Sequence, residues 1–136
     1  MVEPVETLVQ DAADARPVVL VVEDEFSLRW PTSEYLRDSG YRVVEASSVE
    51  EAIMVFASHT RVDVVFSDIN LEGDLDGIAL SKWLHEHHPE VPMLMTSGQK
   101  PAAQWVSTLA KRSFVAKPYV LAEVDQLIKS VLPRNA

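Results

Sequence analysis

Three runs of this chain are almost unbroken in apolar character, and each ends on polar or acidic residues. Val18–Val22 runs into Glu23-Asp24-Glu25, Val62–Phe66 into Ser67-Asp68, and Pro92–Met95 into Thr96-Ser97-Gly98. Successive side chains of a strand point to opposite faces, so a strand apolar at every position must be covered on both. That requirement excludes a sandwich with one wet face. It predicts inner strands of a parallel sheet with helices on either side.

Two further runs complete the set. Arg42–Glu45 mixes charge with Val43 and Val44, as suits an edge strand, and Ser113–Ala116 is short. The strands expected are therefore Val18–Val22, Arg42–Glu45, Val62–Ser67, Pro92–Thr96 and Ser113–Ala116. Helix-length segments separate them. Phe26–Ser39 places Phe26, Leu28, Tyr35 and Leu36 near one stripe and stops at Gly40, with Pro31 close to its first turn and able to kink it. Ser48-Val49-Glu50-Glu51 reads as a capping box opening a helix at Val49–Ser58. Ile78–His88 ends at Pro89, Pro101 fits the first position of a helix to about Lys111, and Leu121–Leu132 closes before Pro133. The reading is (βα)5: a doubly wound α/β fold, flavodoxin-like, with a five-stranded parallel sheet of order 2-1-3-4-5.

Domain organisation follows. Residues 1–16 are acidic with little periodicity and read as a flexible arm. Residues 17–133 form one domain, and 134–136 a tail. The chain has 136 residues and a formal net charge of −9, with no cluster of Lys and Arg. That argues against direct contact with nucleic acid or anionic lipid. With no cysteine, no long apolar run and no signal-peptide pattern, the chain reads as soluble and cytoplasmic.

In such a sheet the functional site lies at the carboxyl ends of the strands. Glu23, Asp24 and Glu25, then Asp68, then Thr96, then Lys117 all fall there. Each is ordinary alone: a triplet of acids is usually a solvated turn, and a lone Asp after a strand often a cap. Their joint placement carries the argument. The first and third strands are neighbours about 4.8 Å apart, so Glu23, Asp24 and Asp68 converge. Carboxylates that close need a proton or a cation among them, and a hard divalent ion, Mg2+, suits oxygen ligands. Asp68 is then a nucleophile able to form an aspartyl phosphate. Lys117 reaches inward as a point charge, and the Thr96 hydroxyl lies within reach of a phosphoryl oxygen.

These segments, VLVVEDE (19–25), VVFSDINLEGDLDG (64–77), VPMLMTSG (91–98) and FVAKPY (114–119), resemble the receiver domain of two-component response regulators over roughly residues 17–133. The resemblance implies a metal site of Glu23, Asp24, Asp68 and the Asn70 backbone carbonyl. It implies Asp68 as phosphoacceptor, Lys117 as active-site lysine, Thr96 as switch hydroxyl and Phe114 as an aromatic that turns inward. Lys117-Pro118 matches a bond often cis in the family. The implied partners are a histidine kinase or histidine phosphotransfer protein, and a downstream protein bound through the fourth helix (101–111), fifth strand and fifth helix. No multiple-turnover substrate is expected, only Mg2+-dependent self-phosphorylation and slow autodephosphorylation.

Departures are visible. The acidic pair is Glu-Asp where Asp-Asp is common. The loop after Asp68 is one residue longer than the commonest pattern and lacks its Met-Pro. Ala110-Lys111 replaces Gly-Ala, and Phe114 has no hydroxyl. A hydrolase using an aspartyl nucleophile often carries Asp-x-Asp, but Asn70 stands at the second position and cannot relay protons. Other readings are a receiver fragment of a hybrid histidine kinase or larger regulator, and a phosphate-independent binding module. His85, His87 and His88 read as a solvated helix end. Trp30 and Trp83 read as packing residues, and Trp105 as core or partner surface.

Overall fold

The computed structural model describes residues 14–98 and 113–133. Five parallel strands, β1 (Val18–Val22), β2 (Arg42–Ala46), β3 (Val64–Asp68), β4 (Met93–Ser97) and β5 (Ser113–Ala116), form one sheet. Its order is β2-β1-β3-β4-β5, as the sequence predicts, with mixed-character β2 on an edge. The described helices are α1 (Phe26–Asp38), α2 (Val49–Ala57), α3 (Gly77–His87) and α4 (Leu121–Val131). The helix expected from Pro101 to Lys111, including Trp105, lies outside the described residues, as do 1–13 and 134–136. No described helix is long and apolar enough to cross a membrane.

Strand alternation divides the core in two. Leu20, Val22, Val65, Met93 and Met95 join Ala52 and Phe56 of α2 and Leu80 and Leu84 of α3 on one face. Val19, Val21, Val64, Phe66, Leu94 and Val115 meet Leu36 of α1 and Val124 and Ile128 of α4 on the other. β1, β3 and β4 are buried at every position. Each fully buried Val or Leu contributes about 1.5–3 kcal/mol, so the inner strands are the rigid platform of the molecule.

Local chemistry sets the element ends. Ser48 caps α2 by accepting from the Glu51 amide at 3.1 Å, and the Glu51 carboxylate accepts from the Ser47 amide at 2.7 Å. β3 begins two residues later than expected. Asp63 is occupied at the foot of β1, its carboxylate accepting from the Val18 amide at 2.8 Å. The strand therefore runs through Asp68, which is its last residue.

Two expectations fail on α1. Phe26 is 61% exposed, Leu28 38% and Trp30 48%; the buried positions are Thr32, Ser33 and Leu36. The helix is buried only from Thr32 onward, and its first turn leaves its apolar side chains largely in solvent. Pro31 stands inside the helix, one residue before the buried stripe begins. Trp83, by contrast, packs beside Phe56 at 5.5 Å between ring centroids. At the end of α3, His85 is exposed, while His87 stacks on Trp83 and His88 on Phe56, both at 4.6 Å.

Candidate functional site

The pleat places the site. Val19 and Val21 face α1 and α4, as do Val64 and Phe66, Leu94, and Val115. Two residues on from the last of each come Glu23, Asp68, Thr96 and Lys117, so all four belong to that side of the sheet. Phe114 has the opposite parity and lies partly buried against the α2 and α3 face. The ladder also continues past the strands. The amide of Glu23 donates to the Ala46 carbonyl at 3.1 Å, that of Ile69 to Thr96 at 2.8 Å and that of Lys117 to Ser97 at 3.0 Å. The functional side chains thus stand on the final rungs of a paired sheet rather than on free loops.

Asp68 is 5% exposed and is paired opposite Thr96 in the β3–β4 register. Its Oδ2 accepts from Lys117 Nζ at 2.7 Å, and its Oδ1 from the Asn70 amide at 2.9 Å. Lys117 Nζ also reaches Glu23 Oε1 at 3.4 Å. The Lys117-Pro118 peptide is cis. Glu23, Asp24 and Asp68 each place one carboxylate oxygen within 4.8 Å of the other two. Among the described residues the hydroxyl of buried Thr96 has no hydrogen-bond partner. Structure and sequence therefore bring Glu23, Asp24, Asp68, Thr96 and Lys117 to one rim. Phe114 stands apart on the other face, and Asn70 contributes its amide to Asp68.

The electrostatics follow from crowding. Burial pushes the Glu23 carboxyl up to about 7; the Asp68 charge adds to the rise, while the Glu25 amide and Lys117 oppose it. Burial works to lower the Lys117 ammonium, but the Asp68 bond and the two carboxylate charges outweigh it, and the net shift is upward. Three acids converge here, and two of them, Glu23 and Asp68, share the Lys117 ammonium. The set consists of oxygen donors with excess negative charge, which fits a hard divalent cation.

Several supporting contacts were not legible beforehand. Arg29 Nη1 donates to the Glu23 carbonyl at 2.7 Å while its Nε holds Glu45 Oε1 at 3.1 Å, tying α1 and β2 to the acidic loop. Asn70 Nδ2 donates to Ser97 Oγ at 2.9 Å, and Tyr119 and Thr32 share a hydroxyl bond at 3.3 Å. Asp24 Oδ2 accepts from the Glu72 amide at 2.9 Å. Only Arg29 carried a signal, a cation six residues after an acid at the start of a helix. Gly77 is fixed by packing: a Cβ there collides with the Asp68 carbonyl oxygen and comes within 2.7 Å of Ile69 Cα. Beside Lys117 an apolar groove of about 500 Å3 is lined by Ser27, Leu28, Pro31, Thr32, Pro118 and Tyr119.

A family model described as the response regulator receiver domain matches residues 19–129. The DNA-binding transcriptional regulator NtrC of Salmonella typhimurium is 29% identical over 119 residues, covering 86% of this chain and 25% of that protein. Sensor kinase CckA of Brucella abortus is 32% identical over 120 residues, covering 86% and 13%. The chain thus spans a quarter or less of the length of these relatives. Among solved structures, response regulator protein TrrA of Thermotoga maritima, in complex with Mg2+-BeF, aligns with a TM-score of 0.76 at 25% identity, covering 85% of this chain and 99% of that one.

Proposed function

The chain belongs to the response regulator receiver domain family, and on that premise we propose that it accepts a phosphoryl group on Asp68 and switches a protein-binding surface. The observation that carries the reading is the buried Asp68 carboxylate, held by Lys117 at 2.7 Å beside two further acids and opposite an unpartnered Thr96 hydroxyl.

Receiver domains are signalling modules rather than multiple-turnover enzymes. In the step proposed, a carboxylate oxygen of Asp68 forms a bond to phosphorus as the bond from phosphorus to the donor breaks, and the electron pair leaves with the donor. Where the donor is a phosphohistidine, imidazole departs. Lys117 stabilises negative charge on the transferring oxygens. The Thr96 hydroxyl then has a partner, a phosphoryl oxygen, and Phe114, on the other face of the sheet, is read as the aromatic that responds to its movement. Glu23, Asp24, Asp68 and the Asn70 carbonyl would hold Mg2+. Bound there, the ion supplies charge neutralisation for the phosphoryl oxygens. The Mg2+-BeF complex of TrrA supports that choice.

The donor is read as a histidine kinase or histidine phosphotransfer protein. The groove beside Lys117 gives such a donor an apolar footing whose wall includes the lysine itself. The output is read as a protein target on the surface of β5 and α4, the rest of the expected face, residues 101–111, lying outside the described residues. The net charge of −9 speaks against direct nucleic-acid contact, and the cytoplasm is the compartment in which such donors act. The CckA relationship favours a second reading, a receiver working within a longer kinase. Hydrolysis of external phosphomonoesters is disfavoured because Asn70 lacks a transferable proton and its amide is engaged with Ser97.

Incubation with a small acyl phosphate and Mg2+ is expected to add one phosphoryl group to the intact mass, removable by hydroxylamine and slowly lost on standing. Chelation of Mg2+ and Asp68→Asn each abolish it. No addition to the wild type, or addition that survives Asp68→Asn, overturns the reading.

A further inference from the structure

The loop from Asn70 to Asp76 is anchored at both ends. Leu71 is buried in the core on the α2 and α3 face, and Asp76 caps α3 by accepting from the Ala79 amide at 2.9 Å. Between these anchors Gly73 adopts a φ of +106°, a conformation that L side chains rarely take. That turn follows directly on Glu72, whose amide donates to Asp24 Oδ2 at 2.9 Å across 48 residues of sequence. The bond belongs to no helix or strand. It ends on one of the three carboxylates that converge at the rim.

We propose that the Glu72 backbone amide is a positioning group for the cation site, holding Asp24 in its place before the ion arrives. The proposal rests on the Mg2+ reading given above. Three physical arguments support it. An amide donor orients the carboxylate without adding a positive charge that competes with the ion. It engages one of the two Asp24 oxygens, so carboxylate oxygen remains available to an ion. It also orders the side chain in advance, which removes part of the cost of ordering it on binding. The Glu72 side chain is exposed and plays no part.

The test is Mg2+ affinity by titration calorimetry without any phosphodonor, on wild type, Glu72→Ala and Glu72→Pro. Glu72→Ala keeps the amide and is expected within about twofold of wild type; Glu72→Pro lacks the donor and is expected to bind about three- to tenfold more weakly. A wild type that takes up no Mg2+ overturns the cation reading and this proposal with it. Wild-type binding matched by Glu72→Pro overturns the positioning role alone. Glu72→Ala as weak as Glu72→Pro also overturns it, since the effect then belongs to the side-chain charge. Hydrogen exchange of the wild-type Glu72 amide gives a readout independent of proline. Exchange slowed about tenfold or more without Mg2+, and slowed further with it, is expected of a held donor. Exchange at the rate of a free peptide, or protection lost on adding Mg2+, overturns the proposal.

Discussion

The two rims of the sheet carry the same kinds of residue in opposite states. At the amino rim Asp14 and Asp63 each meet an arginine. Asp14 Oδ2 meets Arg16 at 2.7 Å and Arg42 at 3.7 Å, and Asp63 Oδ2 meets Arg61 at 3.0 Å. The hydrogen bond from Arg16 holds the Asp14 carboxyl well below the usual range. At the carboxyl rim Glu23, Asp24 and Asp68 converge, Lys117 meets only Glu23 and Asp68, and burial pushes Glu23 up. Balanced charge at one end ties chain segments together. Unbalanced charge at the other costs stability and, on the function proposed above, leaves capacity for a cation and a phosphoryl group.

The largest expected effect is at Lys117. Lys117→Ala removes the ammonium that Glu23 and Asp68 share and is expected to slow phosphoryl uptake about 100-fold or more, read by timed intact-mass measurements. Uptake within a few-fold of wild type breaks the account of Lys117. Next comes Gly77→Ala, which forces the Asp68 carbonyl to shift. It is expected to lower unfolding stability by about 2–3 kcal/mol in urea titrations. An unchanged midpoint contradicts the close packing.

Glu23 makes the contrast pH-dependent. Its folded value of about 7 lies above the ordinary 4.5, so the folded chain binds the proton more tightly than the unfolded one. Its contribution to stability therefore falls as pH rises from about 4.5 to about 7, and stays lost above that, at a cost on the order of 2–3 kcal/mol. Urea denaturation of wild type between pH 5 and 8 is expected to show that decline, and Glu23→Gln to remove it. Mg2+ is expected to restore stability to the wild type at pH 8. Equal slopes for the two chains rule out Glu23 as the source.

At the amino rim Asp63→Asn weakens a bond to the Val18 amide and an ion pair with Arg61. About 1 kcal/mol of stability is expected to go, with phosphoryl uptake unchanged. The smallest effect is at Lys129, exposed and paired with Asp125 at 3.2 Å. Lys129→Ala is expected to change stability by less than about 0.5 kcal/mol.

The strands were legible because burial on both faces leaves a continuous apolar run, and the rim residues because they end such runs. Asp68, Thr96 and Lys117 fall into place once the strand order is given, since parity and register do the rest. Helix faces were less legible. Periodicity grouped Phe26 and Leu28 with Tyr35 and Leu36, but it does not say where the neighbouring sheet stops, and those two side chains lie in solvent. Contacts between loops left no pattern to read. The bonds from Glu72 to Asp24, from Asn70 to Ser97 and between Thr32 and Tyr119 depend on how loops and strand ends meet across 48, 27 and 87 residues.

The most direct test of the difference between the rims sets Asp63→Asn beside Asp68→Asn in one phosphorylation assay, with small acyl phosphate and Mg2+ and intact mass as readout. One phosphoryl group on wild type and on Asp63→Asn, and none on Asp68→Asn, is the predicted result. A phosphoryl group retained by Asp68→Asn, or lost from a folded Asp63→Asn, contradicts the account.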